Sequence, residues 1–152
     1  MTGPAPAAPS AEDHEKAMAE VSFLLGMFAA TIDDLMGGAT SSVSRIAGRH
    51  MARKLPIHLE AHDLESVLQA VTHHFRGGFD ITCACREGSA DLTIAQCAIR
   101  DVCHNRGLKP GGPLCTLFHS YFDGVINELH YRPTKSEIRS AGDVCTAHMV
   151  HR

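Results

Sequence analysis

A chain of 152 residues with 44% hydrophobic and 20% charged side chains has the size of one domain and enough apolar material for its own core, so it needs no disulfide to fold. A net charge of −3 with the histidines neutral offers no basic field to a nucleic-acid backbone and argues against nucleic acid as a partner. The first residues carry no basic stretch followed by an apolar one, and the longest apolar run, Val21 to Ala30, is too short to span a bilayer. The expected setting is cytoplasmic, where six cysteines are reduced thiols or metal ligands rather than disulfides.

Residues 1–10 are rich in Pro and Ala and read as a mobile lead to a single domain over 11–152. Ser10 followed by Asp13 marks a helix start of the capping-box type, and the helix continues to about Leu35 before Gly37-Gly38. Its apolar positions run almost all round between Val21 and Ala30, which predicts burial on more than one side, in the domain or against a second copy. The next segment sets Val43, Ile46, Ala47, Met51 and Leu55 on one helical face and Arg45, Arg49 and Arg53 on another, with Pro56 as its end. A solvated face is the preferred reading of that arginine stripe over an anion site. Gly48 costs about 1 kcal/mol relative to Ala inside a helix, which predicts close packing there.

A third helix is expected from Leu59 to Phe75, stopped by Gly77-Gly78, with His73 and His74 facing the C-terminal dipole. The period then changes to two: Phe79, Ile81, Cys83 and Cys85 alternate with small or polar residues, Glu87-Gly88-Ser89 turns, and Leu92 and Ile94 return. Cys83 and Cys85 read as small core hydrophobes.

From Cys97 to Pro133 the chain holds three of its cysteines and its best amphipathic helix, with Leu114, Leu117, Phe118, Tyr121, Val125 and Leu129 at helical spacing. Cys115 falls in the first turn, where the helix N-terminus favours a thiolate, and Cys97 and Cys103 are near enough in the chain to share a site with it. Two strands, Thr134 to Ile138 and Val144 to Val150, close the chain around a turn at Gly142-Asp143. The order predicts an α+β domain: an antiparallel sheet with helices packed on one face.

Three signatures in this order resemble the 4-vinyl reductase domain family, also described as predicted hydrocarbon-binding proteins. They are SVSRIAGRHMARKL with its apolar-Ala-Gly-Arg core, PLCTLFHSYFDGVINELHYRP with Cys115, Tyr121, Gly124 and Arg132-Pro133, and SEIRSAGDVCTAHMV with its Glu, Gly-Asp and Cys. The resemblance runs from about Ala39 to the C-terminus and implies a dimeric fold with an internal apolar pocket. In the family's sensor domains a structural zinc is held by a helix Cys, a Glu and two Cys of the last hairpin. Carried over, Cys115 takes the helix position, Glu137 roughly the acidic one and Cys145 the last. Arg139 or Ser140 stands where the remaining cysteine would be.

Cys97 and Cys103 replace it physically, since with Cys115 and Cys145 they make four thiolates, a set suited to tetrahedral zinc or an iron–sulfur cluster. Four separately buried thiols are the alternative. His104 and His119 are further candidates for a metal or a haem iron, against an exposed helix end and a polar rim residue.

The leading functional expectation is a non-enzymatic binding or sensing module, or a carrier, for a hydrophobic, aromatic or tetrapyrrole molecule. Phe118, Tyr121 and Phe122 would wall the pocket, and a homodimer would pass occupancy to a protein partner. The alternative is a metal or iron–sulfur redox protein. A reductase acting on a tetrapyrrole side chain ranks last, because the chain holds no Gly-rich dinucleotide fingerprint and no assigned proton donor.

Overall fold

The computed structural model describes residues 8–151; most of the expected mobile lead, residues 1–7, lies outside them. Five helices and four strands follow in the order α1 (Ala11–Met36), α2 (Thr40–Ala52), α3 (Leu64–Phe75), β1 (Phe79–Arg86), β2 (Ser89–Cys97), α4 (Ala98–Asn105), α5 (Pro113–His130), β3 (Thr134–Ser140) and β4 (Cys145–His151). The strands form one antiparallel sheet in the order β1-β2-β4-β3. The expected α+β architecture is present.

Alternation decides which face of the sheet is covered. Ile81, Cys83, Ala90, Leu92, Ala147 and Met149 pack with Leu68, Val71, Phe122, Val125 and Ile126 of α3 and α5 into the main core. The intervening positions Thr82, Thr93, Glu137 and Val150 are exposed, as the two-residue period requires. β1 and β2 are joined through Glu87-Gly88, with Arg86 opposite Ser89, and Gly88 takes φ 76°, a conformation that glycine adopts without steric cost.

Helix ends follow the local chemistry. Ser10 and Asp13 form the expected capping box on α1. The third helix begins at Leu64 rather than Leu59, because Asp63 accepts the Ser66 backbone N–H at 3.0 Å and the Ser66 hydroxyl at 2.6 Å. That N-cap fixes the first turn five residues later than apolar spacing alone predicts.

α2 crosses α5 at backbone contact. A Cβ on Gly48 would overlap the Tyr121 carbonyl, and one on Gly124 would overlap the Arg45 carbonyl. Arg49 and Arg53 of the arginine stripe are exposed, as expected of a solvated face, and the crossing brings all three arginines beside acids of α5. Arg45 lies 3.6 Å from the buried Asp123, and Arg49 and Arg53 pair with Glu128 at 3.6 and 2.7 Å.

α1 departs most from expectation. Only Ser22 and Ala29 are buried in it, whereas Met18, Val21, Leu24, Leu25, Met27 and Phe28 are exposed, Phe28 at 59%. The Arg106–Glu20 ion pair and the Arg106 guanidinium 5.0 Å over the Phe23 ring tie it to the segment after α4. Within one chain, the all-round apolar surface of α1 is not buried.

Candidate functional site

The thiols of the Cys97–Pro133 region and of the last strand come together where four elements meet. Cys97 ends β2 and caps α4, Cys103 lies in α4, Cys115 stands in the first turn of α5, and Cys145 opens β4. Because β4 pairs with β2 in antiparallel register, Cys145 is set opposite Ile94, three residues before Cys97. Cys97, Cys115 and Cys145 line one small cavity with Phe118, His119 and Arg100. Its free volume is about 20 Å³, about that of a single water.

Donors are aimed at the sulfurs. The Arg100 backbone N–H donates to Cys97 Sγ at 3.4 Å, the Gly111 backbone N–H to Cys115 Sγ at 3.2 Å, and the Arg100 guanidinium to Cys145 Sγ at 3.9 Å. Hydrogen bonds of this kind favour the ionised sulfur over the thiol. Burial acts in the opposite direction. It raises the Cys97 pKa, with backbone donors offsetting part of the effect, and it pushes Cys103 up to about 12, with the adjacent Cys115 thiol adding to it.

Arg100 is the residue that the sequence did not single out. It is 7% exposed, and its guanidinium donates to the Ile94 and Ala95 carbonyls at 3.3 and 2.6 Å. No carboxylate pairs with it among the described residues. A buried cation without a counter-charge is costly, and the atoms beside it that can become anionic are thiols. The only signal in the sequence was an arginine between Cys97 and Cys103, next to Asp101.

His119 projects into the same cavity one turn after Cys115. Desolvation lowers its pKa to about 4, so its ring is neutral at physiological pH. His104, by contrast, sits exposed in the last turn of α4.

Glu137 stands apart. It is exposed and pairs in register with His148, on the sheet face opposite to that of Ile138, which lines the thiol cavity. The two-residue period of β3 therefore directs its carboxylate away from the sulfurs. Among the described residues no three His, Cys, Asp or Glu side chains are arranged to hold one metal ion. Cys97, Cys115 and Cys145 border the one cavity, and Cys103 lies beside Cys115.

The three aromatic candidates do not act alike. Phe118 stacks on Phe79 with centroids 4.5 Å apart and planes 6° apart, and also lines the thiol cavity. Phe122 is buried in the core beside Phe75 and Phe118. Tyr121 is half-buried at the α2 crossing, and burial raises its pKa. Cys83 and Cys85 face the helices as packing residues, and burial pushes the Cys83 thiol up to about 11.

An antiparallel four-stranded sheet with a long helix packed across one face defines a small α+β domain. The phenol-responsive sensory domain of the transcription activator PoxR, solved with phenol, has this fold. It superimposes with a TM-score of 0.56 over 86% of this chain and 74% of that chain, at 14% sequence identity. No family model matches the chain, and no curated protein matches it significantly.

Proposed function

We propose that the chain is a non-enzymatic binding domain for a small apolar or aromatic molecule, a divergent member of the 4-vinyl reductase domain family that acts as a homodimer and reports occupancy to a partner. The observation that carries the reading is Phe118. One ring belongs both to the stacked aromatic wall with Phe79 and to the interior cavity that holds His119, Arg100 and three thiols. An apolar ligand that displaces this ring would meet Ile94, Ile99 and Ile138 on the walls and imidazole or guanidinium groups for orientation. The fold shared with a phenol-responsive domain agrees with this.

The test is thermal denaturation with phenol and alkyl phenols at millimolar concentration. A concentration-dependent rise in Tm for the wild type, at least as large in Phe118→Ala, where the ring to be displaced is already gone and the circular dichroism is kept, supports the reading. No shift with any apolar aromatic sinks it.

Within the same proposal, Cys97, Cys103, Cys115 and Cys145 hold a structural metal, zinc in preference to an iron–sulfur cluster. Support comes from the N–H donors on three sulfurs and from the positive charge of Arg100, which offsets the excess negative charge of four thiolates on one divalent ion. A free volume of about 20 Å³ suits one ion better than a multi-iron cluster and leaves no room for a haem macrocycle beside His119. Metal analysis with an ultraviolet–visible spectrum of anaerobically purified protein decides among them: colourless with zinc for the structural site, brown with iron for the redox alternative. Neither metal would leave four free thiols, three of them buried and Cys115 half-buried.

The exposed apolar residues of α1, together with the exposed Val43, Ile46 and Met51 of α2, support the homodimer, since clustered exposed apolar side chains mark an interaction surface.

A further inference from the structure

At the opposite end of the domain, where α3 begins and α5 and β4 end, a cleft of about 600 Å³ is lined by His62, His130 and His151 with Cys85, Glu65 and Arg132. Its imidazoles are held in a way that the binding function above does not use. His130 is 7% exposed, and its Nδ1 lies 2.6 Å from the His62 carbonyl oxygen. A carbonyl can only accept, so Nδ1 carries the proton and the neutral ring presents a lone pair at Nε2. That Nε2 is buried and has no hydrogen-bond partner among the described residues. The return contact has the same form: His62 Nδ1 lies 2.7 Å from the Leu129 carbonyl.

His151 supplies the second orphan. Its Nδ1 is likewise buried without a partner among the described residues, and its ring stands edge-on to that of His130, with centroids 5.0 Å apart and planes at 86°. Two imidazoles sharing a tetrahedral ion, each nitrogen about 2 Å from the metal, have centroids roughly 5 Å apart. The backbone holds His151 in place, because its N–H donates to the Gly88 carbonyl at 3.1 Å. Donation of the far ring nitrogen to a backbone carbonyl is also how metal-ligating histidines are oriented.

We propose that this cleft binds a divalent first-row transition cation through Nε2 of His130 and Nδ1 of His151. Imidazole ligands select zinc, nickel or copper over calcium and magnesium. The protein gives two ligands, since no three described side chains form a metal-holding group, and water completes the coordination. The carboxylates of Asp63, Glu65 and Glu87 on the cleft wall favour the ion and Arg86 and Arg132 oppose it, so the site is a moderate binder with open positions. It shares no residue with the thiol cavity, so each site can fail without the other.

The experiment is isothermal titration of untagged, metal-free protein with Zn²⁺ and Ni²⁺ at pH 7.5, using wild type, Cys115→Ser, His130→Gln and His151→Gln. The expected result is one equivalent of cation that survives Cys115→Ser and weakens at least tenfold in each histidine variant, with Mg²⁺ giving no signal. His151 is partly exposed at a strand end, so its variant remains informative if His130→Gln does not fold. Affinity unchanged in His151→Gln, or all cation binding lost in Cys115→Ser, overturns the proposal, as does the absence of binding at 100-fold excess of either metal.

Discussion

Gly48 of α2 and Gly124 of α5 face one another so closely that a Cβ on Gly48 would stand 3.1 Å from the Gly124 Cα and would overlap the Tyr121 carbonyl. Both obstacles are backbone atoms of a helix, which cannot rotate aside as a side chain can. Gly48→Ala and Gly124→Ala must each separate the helices, and each is expected to lose about 3 kcal/mol despite better helix propensity. Urea unfolding followed by circular dichroism checks this. A neutral or stabilising Gly48→Ala would show that the crossing is looser than described.

The crossing also ranks the ion pairs. Asp123 is 2% exposed; its two carboxylate oxygens accept the Ser136 backbone N–H at 3.1 and 3.0 Å, and Arg45 lies 3.6 Å away. This carboxylate ties α2, α5 and β3 together. Asp123→Ala is expected to cost about 2–3 kcal/mol, because it leaves the part-buried Ser136 N–H without its acceptor and Arg45 without its counter-charge. Glu128→Ala, whose partners Arg49 and Arg53 are mostly exposed, should change the unfolding midpoint little, since water and salt screen such pairs. Equal effects in the two variants would reverse the ranking.

These two cases show what was legible in the sequence. Gly48 inside a helical pattern pointed to close packing because a glycine there has a known local cost, and its contact with α5 accounts for it. The arginine stripe was read as a solvated face, which holds for Arg49 and Arg53, but the pairing of Arg45 with the buried Asp123 was not legible, because helical periodicity tells which residues share a face but not which element that face meets. Glu137 lay near the cysteines in the chain, yet the strand period and the register with His148 put it on the other side of the sheet. Cys97 and Cys145 converge through pairing of β2 with β4, a contact between strands that no local pattern encodes. Arg100 went unnoticed for a similar reason: its importance comes from burial without a carboxylate, which only packing reveals.

α1 offers a direct test of assembly. Leu24 and Phe28 lie one turn apart, each more than half exposed, so a second copy covering this face would bury both. Light scattering is expected to give a dimer for the wild type at micromolar concentration and a monomer for Leu24→Glu/Phe28→Glu, because two charges per chain would otherwise be desolvated in the interface. A monomeric wild type would mean that the exposed face has some other cover.

Replacing Cys115 by Ser should remove the metal from the thiol site and lower Tm together, since an ion that binds only the folded state stabilises it. Cys83→Ser is the control: Cys83 packs in the main core away from the cavity, and its loss should cost about 1–3 kcal/mol with no change in metal content. Elemental analysis of the purified variants separates the outcomes. Less than about a tenth of an equivalent of zinc or iron in wild-type protein prepared without oxygen or chelator would end the metal reading, given the affinity of thiolate sites.

His119 makes the stability of the metal-free domain depend on pH in a defined direction. Desolvation beside Phe118 and the thiols lowers its pKa from 6.5 to about 4, so the folded state resists a proton that the unfolded chain accepts. Above pH 6.5 both states are neutral and the group has no effect on the balance. As pH falls from about 6.5 to about 4, the unfolded state gains protons first and folding loses stability, by at most about 3 kcal/mol once both forms are charged. Other groups titrate in the same range, so the informative quantity is the difference between wild type and His119→Gln, which removes the ionisation while keeping a polar side chain. Urea midpoints measured every half pH unit should converge toward low pH if His119→Gln is the less stable form at pH 7.5, because only the wild type loses this contribution on acidification. Parallel curves for the two proteins between pH 7 and pH 4 would show that the imidazole is solvated in the native state and that the cavity beside Cys115 admits water freely.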